Sequence, residues 1–300
     1  MISTDKNTVI YCDPFIPPEW IAAHGLRPLR VAPNISENAA IGVCPYARAF
    51  TNEINFQKNV CAAIFATTCD QMRRSSDIAI KNSILPIFLM NVPTVWQRKS
   101  ATELYAAEIE RLSRFLTQFD AQRPTNAKLA EVMIDFENKR QTQLAKQKPT
   151  DKIPLAIIGS HLLKQDHIIF DIVQKYGGCI AIDATTDGGR TLPGKFDRTQ
   201  LIKNPVKELV SAYFETIPDV FQRPNDRLYD WFKKKLNETY VRGILFHHYI
   251  WCDKWHAEFG RICDKEFTSL PVLDISAGDN DKNTKSCLTT RIQAFMEMLE

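Results

Sequence analysis

The chain has 300 residues, with an apolar fraction of 44% and a charged fraction of 24%. These are ordinary values for a globular protein of about two domains, and they exclude an intrinsically disordered or collagen-like chain. With 38 Lys and Arg against 35 Asp and Glu, the net charge of +3 does not indicate a nucleic-acid or membrane-surface partner. The eight cysteines are the unusual feature.

In the first half, short apolar runs alternate with segments typical of helices. Proline suits the first turn of a helix, and Pro18 and Pro45 therefore predict two helix starts. The predicted order is strand 9–11, helix 17–24, strand 29–31, helix 45–56, strands 60–66 and 84–90, and helices 101–119 and 126–146. The polar segment 147–152 is the predicted boundary between domains 1–150 and 151–300.

The second half repeats this alternation. Its predicted order is strand 153–158, helix 166–176, strand 179–182, helix 225–239, strand 243–246, helix 253–262, strand 272–275 and helix 287–299. Alternation in both halves predicts an α/β protein with two doubly wound, Rossmann- or flavodoxin-like parallel sheets and a helical segment between them.

The N-terminal sequence shows no basic segment followed by an apolar run, and we therefore expect no signal peptide. The longest apolar runs are far shorter than the roughly 20 residues that cross a bilayer. These features predict a cytoplasmic protein whose cysteines form no disulfide framework. No CxxC pair occurs, which argues against a zinc ribbon or a thioredoxin-like motif.

Three of the cysteines are predicted to lie at a ligand-binding edge, because ligands of open parallel sheets bind beyond the carboxyl ends of the strands. Cys44 precedes a helix, Cys69 follows a strand, and Cys252 opens a helix, which places all three near positive helix ends. Cys12 ends the first strand on the same edge and is a minor candidate. The others are expected in the core or in incidental positions: Cys61, Cys179, Cys263 and Cys287.

Three thiolates from three separate loops suit an iron–sulfur cluster better than structural zinc, whose ligands usually come in closely spaced pairs. Scattered core cysteines are the alternative, and the spacing alone does not decide between them. Residues 189–195 match most of the P-loop spacing. Because Phe196 replaces the Ser or Thr that would hold Mg²⁺, we expect a solvent-exposed loop there and no nucleotide site.

Five segments occur in an order that is similar to one known family. They are PEWIAAHGLRP (18–28), CPYARA (44–49), TTCDQMRR (67–74), HHYIWCD (247–253) and TRIQAFME (290–297). Together they cover essentially the whole chain and resemble the D-component subunits of the 2-hydroxyacyl-CoA dehydratase and benzoyl-CoA reductase family.

The resemblance implies that Cys44, Cys69 and Cys252 hold a [4Fe–4S] cluster with one open iron, in the cleft between the domains. It implies an oxygen-sensitive lyase or reductase that performs ketyl-radical chemistry on an acyl-CoA thioester under anaerobic conditions. It also implies a homologous second subunit in a heterodimer and an ATP-dependent iron–sulfur activator protein. His247 and His248 are the candidate catalytic residues, and a structural role at a strand end is the alternative.

The resemblance leaves two alternative functions open. The chain could be a non-catalytic electron-transfer or cluster-scaffold subunit, or a reductase of the double-cubane type. Double-cubane relatives carry a further cysteine in the loop that corresponds to 183–189, where this chain has none, and a single cluster is favoured. The family often has proline after the third cysteine and its aspartate, where Lys254 stands here. The acyl group is not predicted.

Overall fold

The computed structural model describes residues 7–35, 42–57, 59–144, 151–276 and 284–300. The elements of the first half are β1 (Thr8–Tyr11), α1 (Pro18–Ala23), β2 (Arg27–Arg30), α2 (Pro45–Phe56), β3 (Val60–Ala66), α3 (Asp70–Asn82), β4 (Ile87–Met90), α4 (Lys99–Leu116) and α5 (Asn126–Leu144). Those of the second half are β5 (Ile153–Gly159), α6 (Ile168–Lys175), β6 (Gly178–Ala184), α7 (Arg198–Lys203), α8 (Pro205–Val210), α9 (Asp226–Glu238), β7 (Gly243–His247), α10 (Asp253–Ile262), β8 (Val272–Asp274) and α11 (Thr284–Leu299).

The strands form two parallel sheets of four strands each. Their orders are β2-β1-β3-β4 and β6-β5-β7-β8, so the two sheets share one topology. In each sheet the strand order reverses between the two central strands, β1 and β3 or β5 and β7. In doubly wound folds this reversal is the place where ligands bind, beyond the carboxyl ends of the strands. The predicted α/β fold class with two parallel sheets is confirmed.

The central strands are covered on both faces. All seven residues of β3 are buried, as expected for a parallel strand with helices on both sides. Strand β4 begins at Ile87, three residues later than predicted. The Leu85 amide donates a 3.0 Å hydrogen bond to the Ser83 hydroxyl in a turn, and this turn leaves Ile84 fully exposed instead of paired in the sheet.

Part of the second half packs against the first half. Helices α7 and α8 and the π-helical turn Ser211–Glu215 share the hydrophobic core of α1, α4 and α5, with Phe214 completely buried. The Tyr213 hydroxyl donates a 2.5 Å hydrogen bond to the buried carboxylate of Glu19, which also pairs with Arg140. Helices α3, α7 and α8 lie outside the predicted series.

The loop at 189–195 is only partly exposed, in contrast to its prediction: Gly189 and Lys195 are exposed, but Arg190 and Thr191 are buried. Arg190 is 1% exposed and donates hydrogen bonds to the carbonyls of Ala184 and Pro218 and to the carboxylate of Asp219. A buried arginine that satisfies these groups makes the segment structural. The predicted linker 147–152 lies mostly outside the described residues, and the domain boundary at 150 stays a prediction. No helix among the described residues is both long and apolar enough to cross a bilayer.

Candidate functional site

A cavity of about 160 Å³ lies where the carboxyl ends of the two sheets face each other. Its walls come from the loops that follow the two central strands of each sheet. Asp13 follows β1, Cys69 follows β3, Ser160 follows β5, and Tyr249 and Cys252 follow β7. The cavity therefore lies at both points where the strand order reverses.

Cys44, Cys69 and Cys252 all line this cavity. Each is the N-cap residue of a helix, of α2, α3 and α10 respectively. Their carbonyls accept the first hydrogen bonds of those helices, from the amides of Arg48, Arg73 and His256 at 2.9–3.1 Å. Three positive helix ends thus converge on one cavity, and such ends stabilise negative charge.

Burial raises the pKa of the Cys44 thiol to about 11 and that of the Cys252 thiol to about 12, and it also raises the pKa of Cys69. Negative charge on Cys44 and Cys69, which line the same cavity, also raises the pKa of Cys252. Backbone N–H groups in the first helical turns act in the opposite direction: those of Ala47, Met72 and Trp255. Three thiolates in this cavity need a compensating positive charge.

The three thiols form a soft donor set of the kind that iron–sulfur clusters take. In the described parts of the chain, no group of three or more His, Cys, Asp or Glu side chains could hold one metal ion. In a [4Fe–4S] cluster each cysteine binds a different iron, and the sulfurs therefore stand further apart than the ligands of one ion. Soft thiolates at three helix ends suit an anionic iron–sulfur group.

The other five cysteines do not line the cavity. Cys12 is 1% exposed at the end of β1, and the Cys61 thiol donates to the Thr8 carbonyl at 3.3 Å inside the core. Cys179 is only half-buried because it lies on the edge strand β6. Cys263 and Cys287 are exposed, and all eight cysteines are free thiols.

His247 ends β7, is fully buried, and does not line the cavity itself. Its Nδ1 lies 3.2 Å from the Ser160 hydroxyl, which does line the cavity. Its Nε2 is 3.9 Å from the Asp166 carboxylate and has no hydrogen-bond partner among the described residues. Burial lowers the pKa of His247 to about 3, so the ring is neutral.

His248 points away from the cavity. Its Nε2 is 3.2 Å from the Asp274 carboxylate, and its ring centroid is 5.5 Å from that of His256. It does not line the cavity either. The catalytic assignment of both histidines stays a prediction.

Two polar groups that the sequence analysis did not assign to the site also line the cavity. The Asp13 carboxylate accepts hydrogen bonds from the Phe15 amide at 2.9 Å and from the Thr68 hydroxyl, and burial raises its pKa. The Lys254 ammonium donates to the Thr68 carbonyl at 2.6 Å. Asp13 lies two residues after the predicted strand 9–11, and the strand-end rule alone could have identified it.

Contacts between Arg30 and the loop after β6 join the two sheets beside the cavity. Arg30 of β2 donates a 2.6 Å hydrogen bond to the Thr186 carbonyl and forms a 3.3 Å ion pair with Asp187. Burial opposes the ionisation of Asp187, but His161 and Arg30 hold its pKa well below its usual range. These contacts fix the loops after β2 and β6 against each other.

Comparison with solved structures gives only weak likeness. The laminin-binding protein Lbp of Streptococcus pyogenes aligns over 97% of this chain and 98% of its own, with 11% identity and a TM-score of 0.26. A mutant of the laminin-binding adhesin Lmb from Streptococcus agalactiae aligns over 98% of this chain and 99% of its own, with 11% identity and a TM-score of 0.25. TM-scores this low support no argument about fold or function. No curated protein matches the chain.

The family comparison is specific. Residues 14–145 and 135–299 both match the family described as 2-hydroxyglutaryl-CoA dehydratase, D-component. The matched ranges include all three cavity cysteines and nearly the whole chain. A component of such an enzyme implies a partner component and a CoA thioester as substrate. The chain belongs to the 2-hydroxyglutaryl-CoA dehydratase D-component family.

Proposed function

We propose that this chain is the iron–sulfur subunit of an oxygen-sensitive enzyme that acts on CoA thioesters, either a 2-hydroxyacyl-CoA dehydratase or an acyl-CoA or benzoyl-CoA reductase. One observation carries the proposal: three N-cap cysteines from both sheets line one cavity at the two reversal points of strand order. Cys44, Cys69 and Cys252 would hold a [4Fe–4S] cluster. Family membership supports the enzyme class.

Held by Cys44, Cys69 and Cys252, such a cluster would supply single electrons for radical chemistry on the thioester and a Lewis-acidic iron. The chain itself provides the surroundings. Helix ends stabilise the negative charge, and the rings of Phe15, Tyr249 and Trp255 line the cavity and limit the entry of water. Burial raises the pKa of Asp13, whose carboxyl group accepts a hydrogen bond from the Thr68 hydroxyl in the cavity.

His247 is proposed to act through Ser160. Its Nδ1 contacts the Ser160 hydroxyl, which can present a hydrogen bond to the substrate in the cavity. His248 contacts Asp274 outside the cavity, and these contacts support the structural alternative for it. A homologous second subunit, an ATP-dependent activator protein and a cytoplasmic location complete the proposal.

A cluster-holding subunit that transfers electrons without binding substrate is the second candidate. The cavity volume of about 160 Å³ favours it, because pockets that enclose a drug-sized ligand usually measure roughly 300–1,000 Å³. The two candidates differ in their response to substrate. In the enzyme, an acyl-CoA such as 2-hydroxyglutaryl-CoA changes the electron paramagnetic resonance (EPR) spectrum of the reduced cluster, and in the electron carrier it does not.

The test is anaerobic purification of single variants, followed by iron and sulfide analysis. Cys44→Ala, Cys69→Ala and Cys252→Ala are each expected to lose most of their iron. The control, Cys61→Ala, removes a buried thiol in β3 outside the cavity, and this variant is expected to keep its iron. Full iron content in all three variants would refute the proposed function.

A further inference from the structure

Lys254 bridges two of the cysteine-bearing loops. It is the second residue of α10, two residues after Cys252, and it lines the same cavity. Its ammonium donates a 2.6 Å hydrogen bond to the carbonyl of Thr68, the residue before Cys69. One side chain therefore connects a loop of the second sheet to a loop of the first.

The positive charge of Lys254 is not cancelled by the groups it contacts most closely. Within the described residues these are the Thr68 carbonyl and the ring of Phe221, whose centroid is 5.4 Å from the ammonium nitrogen, and both are neutral. Four carboxylates line the cavity, those of Asp13, Asp70, Asp219 and Asp253. Asp70 pairs with Arg73 and Asp219 with Arg190, and among the described residues no carboxylate forms an ion pair with Lys254. The ammonium thus adds a positive charge to the cavity wall.

Lys254 contacts the carbonyl of the residue before Cys69 and lies two residues after Cys252, so its charge stands beside two of the cysteines that would bind the cluster. A cluster that accepts one electron gains one negative charge, and nearby charge is one of the factors that set its reduction potential. A cation at this place stabilises the reduced form more than the oxidised form, because the reduced form is the more negative.

We propose that the Lys254 ammonium, held between the Cys69 and Cys252 loops, makes the reduction potential of the cluster more positive. The proposal rests on the proposed function, because it requires the cluster. It assigns Lys254 as a positioning and charge-setting residue that holds no iron itself. The redox step is the addition of one electron to the cluster, with dithionite as the electron donor in the test.

The experiment is a redox titration of the anaerobically purified chain, followed by EPR spectroscopy at fixed pH. Lys254→Gln removes the charge and keeps a donor for the Thr68 carbonyl, whereas Lys254→Arg keeps the charge. For the glutamine variant we expect the equilibrium constant for reduction to fall roughly tenfold, a shift of about 59 mV to more negative potential for one electron. The arginine variant is expected to stay near the wild type.

Lys81→Gln is the matched control. It makes the same charge change in the last turn of α3, roughly 18 Å along the helix axis from Cys69 at 1.5 Å per residue. We expect no shift, since exposed charges at this distance are screened by salt. An equal shift in Lys81→Gln would overturn the proposal, because net charge would then explain it.

The remaining outcomes separate this proposal from the proposed function. Iron bound at wild-type content with an unchanged potential in Lys254→Gln overturns this inference alone. Absence of iron from the wild-type chain overturns both. Lys254→Met is a second neutral variant. If both neutral variants lose iron while Lys254→Arg retains it, Lys254 is needed for cluster binding and does not merely set the reduction potential, and the inference is wrong.

Discussion

Replacement of Gly159 by alanine tests the close approach of β5 and β7 at the cavity. Gly159 has a φ of +155°, a region that favours glycine, and it pairs with His247 in the sheet. A Cβ atom at this position would lie 1.9 Å from the His247 carbonyl oxygen and 2.7 Å from its carbonyl carbon. Both are backbone atoms, so no side-chain rotation relieves the clash.

The cost can be worked out from these contacts. A residue held in an unfavourable backbone region costs about 1–3 kcal/mol. Displacement of β5 also breaks the 3.1 Å hydrogen bond from the Ser160 amide to the His247 carbonyl, worth about 1 kcal/mol. We expect a loss of about 3 kcal/mol, which lowers the melting temperature of a 150–250-residue unit by roughly 6–12 °C.

The assay is thermal unfolding followed by circular dichroism, with Gly260→Ala as the matched control. Gly260 lies inside α10, and a Cβ atom there meets nothing within 4 Å. Alanine at this position is expected to stabilise the protein by about 0.5–1 kcal/mol, because it is the better helix former. Unchanged melting of Gly159→Ala would show that the two strands do not meet as described.

Two further predictions concern buried ionisable side chains. Arg190→Met is expected to lower the free energy of unfolding by about 3–5 kcal/mol, because it leaves the Asp219 carboxylate buried without its 2.7 Å partner. Urea unfolding measures this loss, and adding Asp219→Asn should partly restore the stability. A loss below about 1 kcal/mol would contradict the pairing. The pKa of His247 is about 3 in the folded protein against an ordinary value of 6.5, so unfolding takes up a proton between these pH values and stability falls as the pH falls through this window. His247→Asn should flatten the pH dependence by up to about 1.4 kcal/mol per pH unit in urea unfolding, and an unchanged slope would show that His247 is not buried in the neutral form.

The strand pattern predicted the fold class and the edge where the cavity lies. Cys44, Cys69 and Cys252 were identifiable because each is next to a strand end or a helix start, and parallel strands bring those ends together. Local sequence could not show that α7 and α8 pack against the core of the first half, because that contact joins residues far apart in the chain. The periodicity of a short helix does not name its partner.

Side-chain direction was also beyond the sequence. His247 and His248 are adjacent at the end of β7, yet one contacts Ser160 and the other Asp274, on opposite sides of the strand. Arg190 lies in a segment that reads as a polar loop, and its burial depends on carbonyls of Ala184 and Pro218 that only the folded chain brings to it. These contacts arise from tertiary packing.

The central claim is that three cysteines of one cavity hold one cluster. The most direct measurement is the iron and sulfide content per chain after anaerobic purification of two triple variants. With alanine at Cys44, Cys69 and Cys252 we predict no bound iron, and with alanine at Cys12, Cys61 and Cys179 we predict the wild-type content of about four iron and four sulfide. Equal iron content in the two variants would contradict the claim.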